Sequence, residues 1–308
     1  MANDKYLNQI LTRDSISFLP QIASGSIDLI VTSPPYADKR KRFYGSIHPE
    51  KYVQWFKPIA NELYRILKPS GSFILNIKEH PREGERDTYV LELILELKKA
   101  GWFWIEEYCW YKKNSFPGKW PNRFRDSWER CLHFTKRKDF KMYQDAVKVP
   151  IGEWAEKRFK SLSEQDFKRH VSKTNGTLGR NVSNWLDRRK VYPHNVIVFE
   201  EERFVTSEPQ KIENKYGNVP TLIEFATVCY NKEHSAAFPI ELPYWFLRLF
   251  TKKGDVVLDP FVGSGTTAIS AILLERNFIG VEKKKAFAQY ARKNIKELLK
   301  AMQKDAEV

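Results

Sequence analysis

Cysteine is scarce in this chain of 308 residues: Cys109, Cys131 and Cys229 are the only three. They form no Cys-x-x-Cys pair and no metal-ligand cluster with the six histidines. A disulfide framework and a zinc site are therefore unsupported, and buried thiols in a reducing compartment are the expectation. Long apolar runs are missing too. The opening MANDKYLNQILTRDS has no signal-peptide core, and no stretch is long enough to span a bilayer. These absences predict a soluble, cytoplasmic protein with no membrane partner and no metal. His48, His80 and His133 have no spacing that points to metal or acid-base work, so surface or satisfied structural roles are expected. Negative charge is also in deficit. Asp and Glu total 38 against 52 Lys and Arg, for a formal charge of +14 and a pI near 9.5. An excess of that size favours a polyanion, because neutralised phosphates release condensed counterions.

Four short apolar runs rich in β-branched residues are present: 28–32, 72–77, 255–259 and 277–282. Polar residues, Gly or Pro bound each one, as expected of strands buried on both faces. Helical patterns lie between them at 50–67, 89–99, 240–251, 266–275 and 285–301. The first places Tyr52, Val53, Phe56, Ile59, Ala60, Leu63 and Leu67 on one stripe, and Lys68-Pro69-Ser70-Gly71 ends it. Strand-helix alternation predicts an α/β fold with a Rossmann-like, doubly wound, mostly parallel sheet. From about 140 to 220 the chain is charged, poorly periodic and broken by Gly and Asn. It predicts an inserted recognition lobe or lid, with 1–139 and 221–308 forming the catalytic domain. Its aromatics, among them Trp154, Trp185 and Tyr192, favour a folded element over a disordered insertion.

Two motifs carry chemistry. The first, Asp259-Pro260-Phe261-Val262-Gly263-Ser264-Gly265-Thr266-Thr267, closes an apolar strand and opens a helix. Its glycines let the backbone turn tightly against a ligand at a helix N-terminus. At the end of the next strand stands Glu282, whose carboxylate can accept from ribose hydroxyls. No Gly-Lys-[Ser/Thr] follows the glycines, which excludes a P-loop. A dinucleotide site stays open on this motif alone, although Asp259 within the turn suits a ligand bearing an ammonium better than a pyrophosphate.

The second motif, Thr32-Ser33-Pro34-Pro35-Tyr36, leaves the strand DLIV directly. Two prolines stiffen its exit and fix the Ser33 side chain beside the Pro34 carbonyl. Two adjacent acceptors suit an aromatic amine, drawing its hydrogens aside and localising the nitrogen lone pair, while Tyr36 stacks on the ring.

Together these motifs resemble the amino-DNA methyltransferases of bacterial restriction-modification systems. Their order, Ser-Pro-Pro-Tyr first and Asp-Pro-Phe-x-Gly-Ser-Gly last, resembles the permuted β class. The resemblance covers about 8–135 and 225–295 and implies S-adenosylmethionine as cofactor. Double-stranded DNA is the implied partner, and a cognate restriction endonuclease the functional counterpart. Asp14 matches the acidic position beside the cofactor adenine. The stretch around His234, Phe238 and Pro239 is similar to the segment over the cofactor's methionine end. Asp259, Pro260, Phe261, Gly263, Ser264, Gly265, Thr266, Glu282, Lys283 and Thr32 complete the implied cofactor lining. Ser33, Pro34, Pro35 and Tyr36 become the catalytic grip on a flipped base. Trp110 to Asn114, Arg123 and Glu129 resemble the strand and loop flanking the base pocket. Serine at the head of the second motif looks like the cytosine-N4 version, with adenine N6 as the alternative. No cysteine follows a proline, so covalent attack at a ring carbon is unsupported.

The remaining basic residues divide. Lys39, Arg40 and Arg42 read equally as a phosphate clamp or a solvated loop. Arg180, Asn181, Asn184, Arg188 and Arg189 are candidate base readers, since Arg and Asn make bidentate contacts to guanine and adenine. Rival readings at this point are a nicotinamide-dependent oxidoreductase, a non-catalytic nucleic-acid-binding protein, and an RNA or protein methyltransferase with a similar amine grip.

Overall fold

The computed structural model describes residues 3–37, 47–79, 81–82, 84–112, 122–151, 157, 160–162, 190–198 and 238–306. Every residue from Ile27 to Thr32 is buried, which follows from a strand covered on both faces. This strand lies inside an eight-stranded sheet. In chain order its members are β1 (Gln9–Thr12), β2 (Ile27–Thr32), β3 (Leu67–Ile77), β4 (Phe103–Tyr111), β5 (Trp128–Thr135), β6 (Val196–Val198), β7 (Val256–Asp259) and β8 (Asn277–Glu282). Their spatial order is β1-β8-β7-β2-β3-β5-β4-β6. All run parallel except β5, which is antiparallel to both of its neighbours. This is the doubly wound α/β sheet that the alternation predicted.

Helices α1 (Ser15–Phe18), α2 (Pro49–Ile66), α3 (Tyr89–Lys99), α4 (Glu241–Phe250), α5 (Thr266–Leu273) and α6 (Lys285–Ala306) connect the strands. The stripe expected on α2 is its buried face: Tyr52, Phe56, Ile59, Ala60, Leu63 and Ile66. The helix ends one residue earlier than its apolar pattern, because Leu67 already has extended backbone and opens β3. Lys68 to Gly71 therefore belong to the strand rather than to a loop.

From β2 the chain passes through α2 to β3 on one side, and from β7 it passes through α5 to β8 on the other. Strand order thus reverses between β2 and β7, and a crevice opens there at the carboxyl ends of the parallel strands. Because β5 runs the other way, it brings its amino end, Trp128 and Glu129, to the same edge of the sheet.

Within the expected insertion, 140–220, some described residues join the main sheet. Residues 144–193 and 211–219 form a compact unit of their own, while 1–143, 194–210 and 220–308 form the other. Lys141 donates its amide to Ser70 (3.0 Å), and Val196–Val198 extend the sheet beside Cys109–Tyr111. A three-residue strand in a charged stretch carries too short a pattern to be read from sequence.

Phe134 on β5 is fully buried between Phe73 (6.0 Å between centroids) and Trp102 (6.3 Å). Phe134→Ala should cost about 3–5 kcal/mol through lost burial and the cavity left behind. Urea unfolding should show a lower midpoint at unchanged slope.

Candidate active site

At the reversal point, Asp259 ends β7 and is almost wholly buried. Its Oδ1 accepts from the Thr32 hydroxyl at 2.6 Å and from the Phe261 amide at 3.0 Å, and its Oδ2 accepts from Thr267 at 2.7 Å. Burial pushes the Asp259 carboxyl up to about 6, against the hydrogen bonds from Thr267, Thr32 and Phe261, which favour the anion. The sequence reading set this carboxylate against a ligand's ammonium. The structure gives it three donors within the protein, which tie the glycine-rich turn to the exit of β2.

The turn itself has the geometry expected of close ligand approach. Gly263 and Gly265 have φ of 53° and 93°, and a Cβ on Gly265 would stand 3.1 Å from that of Ala291. The Ser264 hydroxyl is buried without a hydrogen-bond partner among the described residues. Glu282 ends β8, accepting from Gly263 N at 3.2 Å and Lys284 N at 2.7 Å, so both oxygens are fixed. Asp14 caps α1, accepting from Ile16 N at 2.9 Å, and pairs with Lys283 at 2.7 Å. Burial raises the Asp14 carboxyl, but the Lys283 and Ile16 bonds outweigh it and hold it below the ordinary range. The adjacent Ser15 hydroxyl bonds the Pro260 carbonyl, which joins this helix to the turn. Phe261 packs 5.9 Å from Trp55, while Phe238 and Thr266 are buried and Pro239 accepts from Leu242 N at 3.2 Å. The carboxylates of Glu282 and Asp14, a buried hydroxyl without a partner among the described residues and glycines at positive φ fit S-adenosylmethionine, a cation with ribose hydroxyls. They suit a pyrophosphate poorly, because like charges repel strongly at low dielectric.

Directly across the crevice, Ser33 to Tyr36 leave β2. The Pro35 carbonyl accepts from the buried Tyr52 hydroxyl at 3.0 Å, pinning the loop to α2. No described residue donates a hydrogen bond to the Pro34 carbonyl. Among the described residues, the Ser33 hydroxyl reaches only the Tyr36 hydroxyl, at 3.4 Å. Tyr36 is half-buried, and its hydroxyl lies 2.8 Å from Glu129 Oε2 and 3.1 Å from Asn76 Oδ1. Burial, and then the charge of Glu129, push the Tyr36 phenol far above its usual range, so it stays protonated.

Asn76 was missed as a site residue by sequence reasoning, and Lys112 entered it only as part of the stretch Trp110 to Asn114. Asn76 donates to Glu129 Oε2 at 3.2 Å, and Lys112 pairs with Oε1. Their positions at strand ends facing the same edge were the available signal, but the pairing of β3 with antiparallel β5 was needed to use it. Arg123 lies partly exposed in the loop before β5. Lys39, Arg40, Arg42, Arg180, Asn181, Asn184, Arg188, Arg189 and His234 fall outside the described residues. His133 is not a surface residue. It is buried on β5, with Nε2 3.0 Å from Ser72, and burial lowers it to about 3, so it stays neutral.

The sequence pattern of the DNA methylase family matches residues 27–293. The chain belongs to this family. Among its relatives, the Type II methyltransferase M.PvuII of Proteus hauseri is 29% identical over 88% of this chain and 78% of its own. The orphan methyltransferase M.BamHII of Bacillus amyloliquefaciens is 30% identical over 89% and 91%. The fold matches the solved PvuII DNA methyltransferase, described as cytosine-N4-specific, with a TM-score of 0.63 at 23% identity over 92% of this chain and 85% of that one. It also matches a protein of Thermus thermophilus, described as a putative DNA modification methylase and solved with S-adenosyl-L-methionine. There the TM-score is 0.55 at 20% identity over 94% and 93%. Membership in the methylase family removes the oxidoreductase reading. Among the described residues, no helix is long and apolar enough to cross a membrane.

The buried carboxyl of this methylase gives a pH signature. Asp259 binds its proton more tightly folded, at about 6, than at its ordinary 3.8. That contribution is complete below the ordinary value and is lost as pH rises through about 6. Relative to Asp259→Asn, wild type should lose roughly 1 kcal/mol between about pH 5 and about pH 7. Parallel urea titrations of the two proteins measure it, and equal pH profiles would show that the folded site does not raise this carboxyl.

Proposed function

We propose that this methylase transfers methyl from S-adenosylmethionine to the exocyclic N4 amine of a cytosine flipped out of duplex DNA. The observation that carries the reading is the pairing, across one crevice, of the Asp259 to Gly265 turn with the Ser33 to Tyr36 loop through the Thr32–Asp259 bond. When bound, S-adenosylmethionine supplies a methyl group on positively charged sulfur. Glu282 and Asp14 would hold its ribose and adenine side, with Lys283 beside them. Phe261, Phe238 and Pro239 would supply apolar walls, and Gly263, Ser264 and Gly265 the close backbone approach.

Ser33 Oγ and the Pro34 carbonyl would accept the two amine hydrogens and so expose the nitrogen lone pair. Pro35, held by Tyr52, keeps that geometry, and the Tyr36 ring would stack on the base. Fixed acceptors lower the barrier because they need not reorganise during transfer. Cytosine is favoured over adenine by the serine that heads the loop and by the fold shared with a cytosine-N4-specific enzyme. A base inside the helix cannot reach a loop at the bottom of a crevice, which supports flipping.

The +14 charge supports duplex DNA as partner. The likeness to Type II methyltransferases supports a functional pairing with a restriction endonuclease. We assign target recognition to the segment within 140–220, with Arg180, Asn181, Asn184, Arg188 and Arg189 as base readers. Arg123, Lys39, Arg40 and Arg42 are assigned to phosphates.

Nucleoside mass spectrometry of methylated DNA should show N4-methylcytosine. Ser33→Ala should slow turnover on the order of 10²-fold while S-adenosylmethionine affinity holds. N6-methyladenine would move the assignment to the other amine. Lost cofactor affinity at an unchanged single-turnover rate would place the loop on the wrong ligand.

A further inference from the structure

Methylation of an amine creates a proton that must go somewhere, and Ser33 cannot keep it. The nitrogen gains the methyl carbon as the carbon–sulfur bond breaks, and that bond's electron pair stays on sulfur. The nitrogen is then cationic and must shed one N–H. A carboxylate in the Ser33 position could hold that proton, whereas a serine hydroxyl accepts it only by passing its own onward.

We propose that Glu129 is the terminal acceptor of this proton, reached through Ser33 and Tyr36. The inference rests on the reading of Ser33 as the amine's acceptor. The Ser33 hydroxyl donates to the Tyr36 oxygen at 3.4 Å, and the Tyr36 hydroxyl donates to Glu129 Oε2 at 2.8 Å. The first link is long, but such bonds commonly tighten once substrate is bound. Asn76 donates to the same carboxylate oxygen at 3.2 Å, and Lys112 fixes the other. Glu129 is therefore held by residues from β3 and from the end of β4 while it faces the loop after β2.

The transfer balances without any further reactant. The amine proton moves to Ser33 Oγ, the Ser33 proton to the Tyr36 oxygen, and the Tyr36 proton to Glu129 Oε2. Serine and tyrosine end neutral as they began, the methylated amine is neutral, and the carboxylate has become a carboxylic acid. Tyrosinate never forms, which agrees with a phenol held far above its usual range. The Glu129 side chain is 13% exposed, which leaves a path for the proton to solvent.

The test is single-turnover methylation of a duplex carrying the mapped recognition site, in H₂O and in D₂O, with wild type, Tyr36→Phe, Glu129→Gln and the double variant. Each single change should slow methyl transfer roughly 10²-fold while the dissociation constants for DNA and S-adenosylmethionine stay within about twofold. The double variant should be no slower than the slower single, because both cut one relay. The solvent isotope effect of wild type should disappear in all three. Tyr36→Phe keeps the ring and removes one oxygen, so it carries the test if Glu129→Gln does not fold. Wild-type rates in Tyr36→Phe, additive losses, or a loss confined to DNA affinity would each overturn the relay. Ser33→Ala separates the two readings. If it is silent, the amine grip itself fails. If it is crippling while Tyr36→Phe is silent, only the relay fails.

Discussion

The Thr32–Asp259 hydrogen bond, 2.6 Å long and buried at the point where strand order reverses, is the constraint on which the site depends. Thr32 is the last residue of β2 and Asp259 the last of β7, so one bond sets the distance between two loops that begin at the next residue of each strand. The same carboxylate also holds Thr267 in the first turn of α5 and the Phe261 amide inside the glycine-rich turn. Burying a carboxylate is costly, and its three donors offset that cost only in part, as its raised proton affinity records. A residue that merely stabilised the sheet would gain from being apolar. An acid at this position makes sense as a device for holding geometry.

A second constraint is the reversed strand. Had β5 run parallel to its neighbours, Glu129 would lie at the opposite edge of the sheet, far from Tyr36. Running antiparallel, it brings Glu129 level with Asn76, Lys112 and the Ser-Pro-Pro-Tyr loop. Around it Lys78, Arg86 and Arg130 interleave with Glu79, Glu107 and Asp126 in a network of ion pairs. Lys78 is pushed down by burial despite its acidic neighbours, a sign that this edge is dry enough for charges to act strongly on one another. The positive character of the chain is thus locally balanced beside the chemistry.

Much of this was legible in the sequence, for reasons that can be stated residue by residue. The run Asn277–Glu282 is apolar, bounded and β-branched, and it forms a strand over just those residues. Tyr89–Lys99 has one apolar face and forms a helix over the expected span. Gly263 and Gly265 announced their backbone needs directly, since other residues rarely adopt a positive φ. What stayed hidden was everything set by non-local pairing. Asp259 looked outward on a one-dimensional reading, although its partners Thr32 and Thr267 are visible as residue types. His133 carried no mark of burial, because one polar residue on a strand does not break its pattern. Asn76 and Lys112 acquire meaning only through the register of β3 with β5 and β4 with β5.

The placement of β1 has a consequence for how the molecule is made. It pairs along its length with β8, the Asn8 side chain bonds Asn277 across 269 positions, and Arg292 of α6 grips the Ile10 carbonyl. In the same way, β2 lies between β3 and β7. While the chain is being synthesised, β1 has no partner and one flank of β2 is bare until residues 256–282 leave the ribosome. Contacts of such long sequence separation carry a large closure entropy and slow folding. An exposed, mostly apolar strand edge in the meantime is a template for wrong pairing. The two loops that face each other across the crevice, one after β2 and one after β7, are therefore brought together only when the last third of the chain has been made.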